Sequence, residues 1–270
     1  MKVGVRAHDY GRMGIKELAA LLHEEGYEAA QLALPKAFQE INSYEDITLK
    51  KLEQIRTAFE EQKVDIPVFG CYMDLGNPDD QVREYAVKTL KTCLSLGKEL
   101  GAKVVGTETA YPHLSAEERL QWKPYMRDSI LRVMEEAVRV DMRLAVEPVW
   151  WHPLEDLETT LDIVKRVGDE AHLRLIFDAS NLLKTPEDTD QDAAWSTWLE
   201  AVGAYVDVMH IKDFTLGAAG EYQPEVLGAG VMKYDAVSRW LAKQNREIYL
   251  LREEMNPQFA KEDIAFMRKL

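Results

Sequence analysis

The stretch LRLIFDASN, residues 173–181, is a short apolar run that stops at an aspartate, Asp178. The stretch VDVMHIKD, residues 206–213, has the same form and reaches a histidine, His210. Short runs rich in branched and aromatic residues are typical of strands that are covered on both faces. These two runs therefore predict buried strands with an ionisable residue at their carboxyl ends.

Outward from these runs, the chain alternates between short apolar strands and amphipathic helices. The predicted strands are Lys2–Ala7, Glu28–Leu34, Asp65–Cys71, Lys103–Thr107, Arg143–Glu147, Leu173–Phe177, Val206–His210 and Glu247–Arg252. The predicted helices are Ile15–Glu25, Leu49–Gln62, Val82–Leu100, Tyr125–Val140, Leu157–Val167, Ala193–Val202, Tyr234–Gln244 and Lys261–Lys269. Strands that alternate with helices predict a parallel α/β sheet. Eight such repeats favour a closed (β/α)₈ TIM barrel, which typically takes roughly 250 residues.

Composition limits the class of protein. The chain has 270 residues and no low-complexity linker, so we expect one domain over residues 1–270. Acidic residues outnumber basic ones by 47 to 33, which disfavours nucleic acid as a partner because phosphate binding needs a basic face. No segment has the pattern of a signal peptide or a membrane span. Cys71 and Cys93 have no metal or redox spacing, and we expect a cytoplasmic protein without a membrane partner.

Glycine-rich nucleotide-binding motifs are not evident. The first strand is followed by HDYGRMG, residues 8–14, which lacks the GxGxxG spacing of a dinucleotide-binding turn. No Walker-type phosphate loop is found either. These observations weaken a nucleotide-binding hypothesis.

Four consecutive predicted strands end in a metal-ligating residue type. They are Glu147, Asp178, His210 and Glu253. Because the active site of a TIM barrel lies at the carboxyl ends of its strands, we expect these side chains to meet. Burying one charged group is costly unless it is paired or coordinates a metal. Carboxylates with one imidazole suit Mn²⁺, Mg²⁺, Co²⁺ or Zn²⁺, so the set predicts a site for one divalent ion.

Other residues near the strand ends are candidates for substrate binding. Each also has a simpler interpretation: a solvated loop histidine for His8, His113 and His152, a salt bridge with Asp213 for Lys212, and rim packing for the tryptophans. Asn181 is expected either to hold the substrate or to cap the following segment. The substrate-binding candidates are His152, Lys212, Glu108, Asn181, His8 and Trp151, with Trp150 as a further apolar wall.

Several short motifs together resemble the xylose isomerase-like TIM barrels, the sugar phosphate isomerase/epimerase family. The resemblance covers essentially the whole chain. It rests on Glu147-Pro148, on FDASN at residues 177–181, on MHIKD at residues 209–213 and on LRE at residues 251–253. The chain departs from many relatives at Asn181, where they have a histidine.

The resemblance implies a metal held by Glu147, Asp178, His210 and Glu253, with manganese as the expected ion and with Glu147 and Glu253 as the acid/base pair. Its expected activity is carbohydrate isomerisation or epimerisation through a metal-stabilised enediolate. A dehydratase on a keto-sugar or keto-inositol would use the same site. From other classes, an endonuclease IV-like phosphodiesterase or a partner-dependent barrel subunit remains open. Glu254 is an alternative to Glu253 as ligand, and a homo-oligomer is the default expectation.

Overall fold

A computed structural model of the chain describes residues 1–217 and 220–270. Its strands are β1 (Lys2–Arg6), β2 (Ala29–Leu32), β3 (Asp65–Gly70), β4 (Val104–Thr107), β5 (Leu144–Val146), β6 (Leu173–Asp178), β7 (Val206–Ile211), β8 (Phe214–Leu216), β9 (Tyr222–Pro224) and β10 (Tyr249–Arg252). All but β8 and β9 pair in parallel and close into a barrel in the order β1-β10-β7-β6-β5-β4-β3-β2. The predicted (β/α)₈ TIM barrel is therefore confirmed.

Helices surround the barrel. They are α1 (Ile15–Glu25), α2 (Leu34–Ala37), α3 (Leu49–Glu61), α4 (Asp80–Leu100), α5 (Ala116–Val140), α6 (Leu157–Val167), α7 (Ala179–Leu182), α8 (Gln191–Val202), α9 (Asp235–Leu241) and α10 (Ala260–Met267). Short 3₁₀ turns cover Ala7–Tyr10, Tyr44–Asp46, Gly203–Tyr205 and Pro257–Phe259. In the part of the chain that the structure describes, no helix is long and apolar enough to cross a membrane.

Helix α5 is longer than its sequence pattern predicts. It begins at Ala116 rather than at Tyr125. Ser115 accepts a hydrogen bond from the amide of Glu118, whose carboxylate accepts one from the Ser115 amide, and this reciprocal capping box starts the helix. Pro124 lies inside the helix and has no backbone N–H to donate. Because proline usually marks a helix boundary, the sequence pattern predicted a start after it.

The β8–β9 hairpin was not predicted. It directly follows the His210 strand and pairs Phe214 with Pro224 and Leu216 with Tyr222. Each strand has only three residues, too few for a recognisable alternation of apolar and polar positions. The hairpin extends from the carboxyl end of β7, which is the end that carries the site.

The inside of the barrel is filled by a separate layer of side chains. This inner core consists of Ala29, Val68, Val104, Ala145, Ile176, Val208, Tyr249 and Leu251. β1 contributes Gly4, where an added Cβ would lie 2.4 Å from the carbonyl oxygen of Ala29. Only glycine lets β1 approach β2 this closely. The filled interior leaves the carboxyl ends of the strands as the place where polar side chains can converge.

Arg252 and Asp263 form an ion pair that ties α10 to β10. Both side chains are 1% exposed, and Arg252 Nε donates to Asp263 Oδ2 over 2.7 Å. The other carboxylate oxygen accepts a hydrogen bond from the Leu227 amide over 2.8 Å. Removing one partner of such a pair leaves a buried charge without compensation.

We therefore expect Asp263→Ala to lower the free energy of unfolding by about 3–5 kcal/mol, measured by urea denaturation. The matched control is Asp192→Ala, which breaks the Asp192–Arg239 pair, whose side chains are 51% and 55% exposed. That surface change should cost no more than about 1 kcal/mol. Equal losses of unfolding free energy in the two variants would show that the buried Arg252–Asp263 pair stabilises the fold no more than the surface pair does.

Candidate metal centre and substrate cavity

Asp178 is positioned by the helix that it starts. It is the last residue of β6 and the N-cap of α7, and its Oδ1 accepts hydrogen bonds from the amides of Ser180 and Asn181 over 2.9 and 3.1 Å. An aspartate at this position satisfies the first free amides of a helix. Its other oxygen, Oδ2, is left free of the helix and lies 3.0 Å from Nζ of Lys212.

Glu147 extends β5 by one residue, since its amide donates to the Thr107 carbonyl over 2.9 Å. Asn181, delivered by α7, donates from Nδ2 to Glu147 Oε1 over 2.7 Å. Asn181 thus orients one metal-ligand candidate by a hydrogen bond. The other oxygen, Glu147 Oε2, is buried and lies 3.1 Å from Nδ1 of His210.

His210 is held by a residue that the sequence analysis missed. Its Nε2 lies 2.8 Å from Oε1 of Gln31, and because an amide oxygen only accepts, Nε2 carries the hydrogen. The Gln31 amide nitrogen in turn contacts the Tyr72 hydroxyl and donates to Glu253 Oε1 over 3.1 Å. The sequence did contain a sign of this role, since Gln31 is a polar residue within the otherwise apolar strand AAQL. In the structure its side chain is fully buried.

The second nitrogen of His210 faces three carboxylates. Nδ1 lies 3.1 Å from Glu147 Oε2, 3.4 Å from Glu253 Oε1 and 3.9 Å from Asp178 Oδ2. Burial lowers the pKa of His210, but the charges of Glu253, Glu147 and Asp178 outweigh it and raise that pKa to about 9. The arrangement thus favours a positive charge at the point where the carboxylates converge.

These observations support a fit between the residues and a divalent ion. Glu147, Asp178 and His210 each offer one potential ligand atom, and these atoms lie within 4.8 Å of one another. The three atoms are buried, and they contact other charged groups: Glu147 Oε2 lies 3.1 Å from His210 Nδ1, and Asp178 Oδ2 lies 3.0 Å from Lys212 Nζ. A divalent ion could enter this setting as a further counter-charge to the carboxylates. Two carboxylates and an imidazole match the preferences of first-row divalent metals and Mg²⁺.

Glu253, the fourth predicted ligand, is held by cations. Its Oε2 lies 3.2 Å from Arg6 Nη1 and 3.1 Å from Lys212 Nζ. Burial raises the pKa of Glu253, but the charges of Arg6, His210 and Lys212 outweigh it and place that pKa far below the usual range. Glu253 is therefore an ionised carboxylate beside the three-residue cluster.

The two adjacent glutamates have different surroundings. Glu254 has a φ of +55°, which turns the chain sharply after β10. Its Oε2 accepts a hydrogen bond from the Tyr222 hydroxyl over 2.5 Å at the mouth of the cavity. Glu253 rather than Glu254 thus lies beside His210.

Lys212 is buried among the acidic groups. Its Nζ lies 3.0 Å from Asp178 Oδ2 and 3.2 Å from Asn181 Oδ1, in addition to its contact with Glu253. These charges overcome the effect of burial and raise the pKa of Lys212 above its usual value. The salt bridge with Asp213 considered from the sequence is not observed. Asp213 instead accepts backbone hydrogen bonds from Phe214, Gly228, Gly230 and Met232.

A cavity of about 570 Å³ opens above Lys212 and Glu253. Four of the predicted substrate-binding residues line it, namely Lys212, Glu108, Asn181 and Trp151, as do Trp150 and His113. Burial, followed by the charge of Glu147, raises the pKa of Glu108 to about 8. Glu108 therefore keeps its proton near neutral pH and has a hydrogen to donate.

His8 and His152 are not part of the described cavity lining. His152 is 1% exposed, and its Nδ1 lies 3.6 Å from Glu108 Oε2. Burial and the charge of His113 lower its pKa to about 3, so His152 is neutral. Burial also lowers the pKa of His8 to about 4, together with the charge of Arg6. Their role as substrate contacts stays a prediction.

Solved structures with this fold resemble the chain over its full length. IolI, solved with a bound zinc atom, has 17% sequence identity and a TM-score of 0.74, with 100% of this chain and 95% of that chain covered. The 3-keto-D-glucoside 4-epimerase YcjR from E. coli has 16% identity and a TM-score of 0.74, with 100% of each chain covered.

A third structure is the probable 3-DHS dehydratase AsbF from Bacillus anthracis, with 14% identity, a TM-score of 0.71, and 99% of both chains covered. At these identities the likeness shows the fold alone. No curated protein sequence matches the chain significantly.

A family model gives the more specific result. The model described as xylose isomerase-like TIM barrel matches residues 19–270. This range includes every strand from β2 to β10 and the three converging residues Glu147, Asp178 and His210. The chain belongs to the xylose isomerase-like TIM barrel family.

Proposed function

We propose that the protein is a divalent-metal-dependent enzyme that epimerises or isomerises a small ketose or keto-sugar by moving a proton next to a carbonyl. The observation that carries this proposal is the convergence of Glu147, Asp178 and His210, whose potential ligand atoms lie within 4.8 Å of one another, beside the ionised Glu253, which lines the cavity. One of the similar structures is named as a 3-keto-D-glucoside 4-epimerase, which agrees with this chemistry.

Glu147, Asp178 and His210 would hold the metal, and Glu253 would complete the set. A bound divalent ion of this kind acts as a Lewis acid that polarises a carbonyl oxygen. Manganese is our preferred ion because oxygen-rich sites with one imidazole suit it. The His210 ring is oriented for this role by Gln31, since a fixed hydrogen on Nε2 leaves Nδ1 as the ligand atom.

Glu253 and Glu147 are proposed as the acid/base pair. Glu253 lines the cavity and is ionised, so its carboxylate is available to take a proton from the carbon next to the carbonyl. The electron pair of that C–H bond then forms the carbon–carbon double bond of an enediolate. Epimerisation requires Glu147 to enter the cycle with a proton of its own, which it delivers to the opposite face of the same carbon; this leaves Glu253 protonated and Glu147 ionised until both exchange protons with solvent. Return to the neighbouring carbon gives the aldose–ketose isomer.

Lys212, Asn181 and Glu108 are proposed to bind the substrate. The ammonium of Lys212 is placed to neutralise negative charge that develops on a substrate oxygen. Glu108, whose raised pKa favours the protonated form, also lines the cavity and would donate to a sugar hydroxyl. His8, His152 and Trp151 remain proposed substrate contacts, of which Trp151 lines the cavity directly.

Metal binding tests the ligand set. We expect wild type to bind one equivalent of Mn²⁺, and Glu147→Gln, Asp178→Asn, His210→Ala and Glu253→Gln each to weaken binding by about tenfold or more. The measurement is calorimetric titration of metal-stripped protein. Glu254→Gln is the matched control, since Glu254 lies at the cavity mouth and should leave the affinity unchanged. If Glu254→Gln weakens binding and Glu253→Gln does not, the assignment of the fourth ligand is wrong.

Lys212 should oppose metal binding by repulsion. Its Nζ lies 3.0 and 3.1 Å from two proposed ligand carboxylates, so a second cation must approach close to it. We expect Lys212→Met to tighten Mn²⁺ binding by about tenfold, or about 1.4 kcal/mol, because this repulsion is removed. The same variant should lose turnover. Weaker metal binding in Lys212→Met would mean that the lysine supports the site instead.

Proton exchange tests the chemistry. With saturating Mn²⁺ in deuterated water, wild type should incorporate deuterium next to the carbonyl of one or more members of a panel of ketoses and keto-inositols, followed by NMR. Glu253→Gln and Glu147→Gln should reduce the rate by about 10²–10⁴-fold, the usual contribution of an acid/base group. Glu84→Gln, on the surface in α4, is the control. Deuterium exchange at the wild-type rate in Glu253→Gln would show that Glu253 is not the base. If wild type instead converts a substrate to a dehydrated product and returns no deuterated ketose, the enzyme is a dehydratase.

A further inference from the structure

The two outcomes of the proposed reaction make different demands on acid and base groups. Both begin when a base takes the proton from the carbon next to the carbonyl. An epimerase then needs a second group that adds a proton to the opposite face of that carbon, and no proton on oxygen has to move. An isomerase needs only one base at carbon, because the same group can return the proton to the neighbouring carbon. It must also move the hydroxyl proton to the former carbonyl oxygen.

Of the two proposed carbon bases, Glu253 is the one that lines the cavity. Glu147 is not among the described residues of the lining, and its side chain is 1% exposed. Both of its oxygens already face other groups. Oε1 accepts a hydrogen bond from Asn181 Nδ2 over 2.7 Å, and Oε2 lies 3.1 Å from His210 Nδ1. This arrangement favours a reaction in which Glu253 is the single base at carbon.

A further carboxyl lies in the same cavity and is not a proposed metal ligand. Glu108 follows β4, whose last residue, Thr107, pairs with Val146 of β5. Continuing this register by one residue sets Glu108 beside Glu147, and neighbouring strands lie about 4.8 Å apart. The side chain of Glu108 is 31% exposed and lines the cavity. Glu108 is therefore next to the proposed metal cluster and open to the substrate.

The carboxyl of Glu108 is backed by a buried imidazole. Its Oε2 lies 3.6 Å from Nδ1 of His152, whose side chain is 1% exposed. That nitrogen is buried and has no hydrogen-bond partner among the described residues. Because buried polar atoms are rarely left without a partner, the Glu108 carboxyl is the polar group that accounts for its position. His152 thus supports Glu108 from behind, outside the described cavity lining.

We infer that Glu108 is a third acid/base residue, which moves a proton between two neighbouring oxygens of the substrate, and that the enzyme is an isomerase rather than an epimerase. This inference rests on the proposed function for the metal and for Glu253. It adds a catalytic role for Glu108 and selects one of the two outcomes. His152 is a positioning residue that acts through Glu108.

Protons and electron pairs balance in this reaction. Glu253 takes the proton from the carbon that bears the hydroxyl, and the electron pair of that C–H bond forms a carbon–carbon double bond. The carbonyl oxygen meanwhile takes the proton of Glu108. The ionised Glu108 then takes the hydroxyl proton, and the electron pair of that O–H bond forms the new carbonyl. The pair of the double bond takes the proton of Glu253 at the neighbouring carbon, so both carboxyls end as they began.

The ratio of isomer formation to proton exchange tests the role of Glu108. We would incubate the Mn²⁺-loaded protein with D-fructose, D-tagatose, D-xylulose and D-ribulose in deuterated water, and follow deuterium entry and aldose formation by NMR. Wild type should form an aldose from at least one ketose. Part of that aldose should keep the transferred protium, because Glu253 returns the proton that it took. Glu108→Gln should lower aldose formation by about 10²-fold, while deuterium entry into the ketose stays within about threefold.

Two controls separate this role from damage to the site. Glu187→Gln is the matched variant, because Glu187 is an exposed carboxyl that lines the same cavity and has no part in the proposed reaction. It should change neither rate. The Mn²⁺ affinity of Glu108→Gln, measured by calorimetry, should stay within about threefold of wild type. A larger loss of affinity would mean that Glu108 acts on the metal site instead of on the substrate.

Variants of His152 test its positioning role. His152→Leu removes the polar nitrogen behind Glu108, whereas His152→Asn keeps a polar atom in its place. The first should lower the ratio of aldose formation to deuterium exchange by about fivefold, and the second should retain most of it. Equal ratios in the two variants and wild type would show that His152 does not position Glu108.

The outcomes distinguish this inference from the proposed function. Aldose formation at the wild-type rate in Glu108→Gln, or equal losses in Glu108→Gln and Glu187→Gln, would overturn the role of Glu108 while the proposed function stands. A wild type that forms only an epimeric ketose would overturn the assignment as an isomerase, again without harm to the proposed function. A wild type that exchanges no proton from any of these ketoses would contradict the proposed function and this inference with it.

Discussion

The mutual dependence of charges at the barrel mouth is the constraint around which the site is built. Three carboxylates surround His210 Nδ1, and two of them also contact Lys212. None of these groups is stable alone in a buried position, because desolvation of a single charge costs several kcal/mol. Together they form a cluster in which His210 and Lys212 offset the repulsion among the carboxylates, and that cluster exists only because strands β5, β6, β7 and β10 are adjacent in the barrel.

Local backbone features set the direction of each acidic side chain. Asp178 uses one oxygen to cap α7, so only the other is directed into the site. The left-handed conformation of Glu254 separates two consecutive glutamates, one beside His210 and one at the mouth beside Tyr222. Asn181 links Glu147 to Lys212 through its amide nitrogen and oxygen. Preorganised ligands of this kind reduce the cost of assembling a site when an ion or a substrate binds.

Two of the strands that carry candidate site residues are followed by segments that line the cavity. Trp150 and Trp151 follow the glutamate of β5, and the hairpin that carries Leu216 and Tyr222 follows the histidine and lysine of β7. Loops after barrel strands vary without disturbing the barrel, which is why one fold supports many reactions. In this chain both segments place side chains in the lining of the cavity. The ionisable groups of the proposed site and the aromatic groups of the cavity therefore belong to the same two segments.

The sequence by itself determined the barrel and the residue types of its functional end. Alternating strands and helices predicted the fold, and the apolar runs ending in Glu147, Asp178, His210 and Glu253 predicted which side chains meet, because strand ends in a closed parallel barrel share one face.

Three features depend on the tertiary structure. Gln31 belongs to β2, far from His210 in sequence, and becomes its partner through barrel closure. Lys212 pairs with Asp178 and Glu253 instead of its neighbour Asp213, whose carboxylate accepts backbone hydrogen bonds from residues 214–232. The hairpin over the mouth is too short to leave a periodic signal, and its position depends on the cavity that it lines.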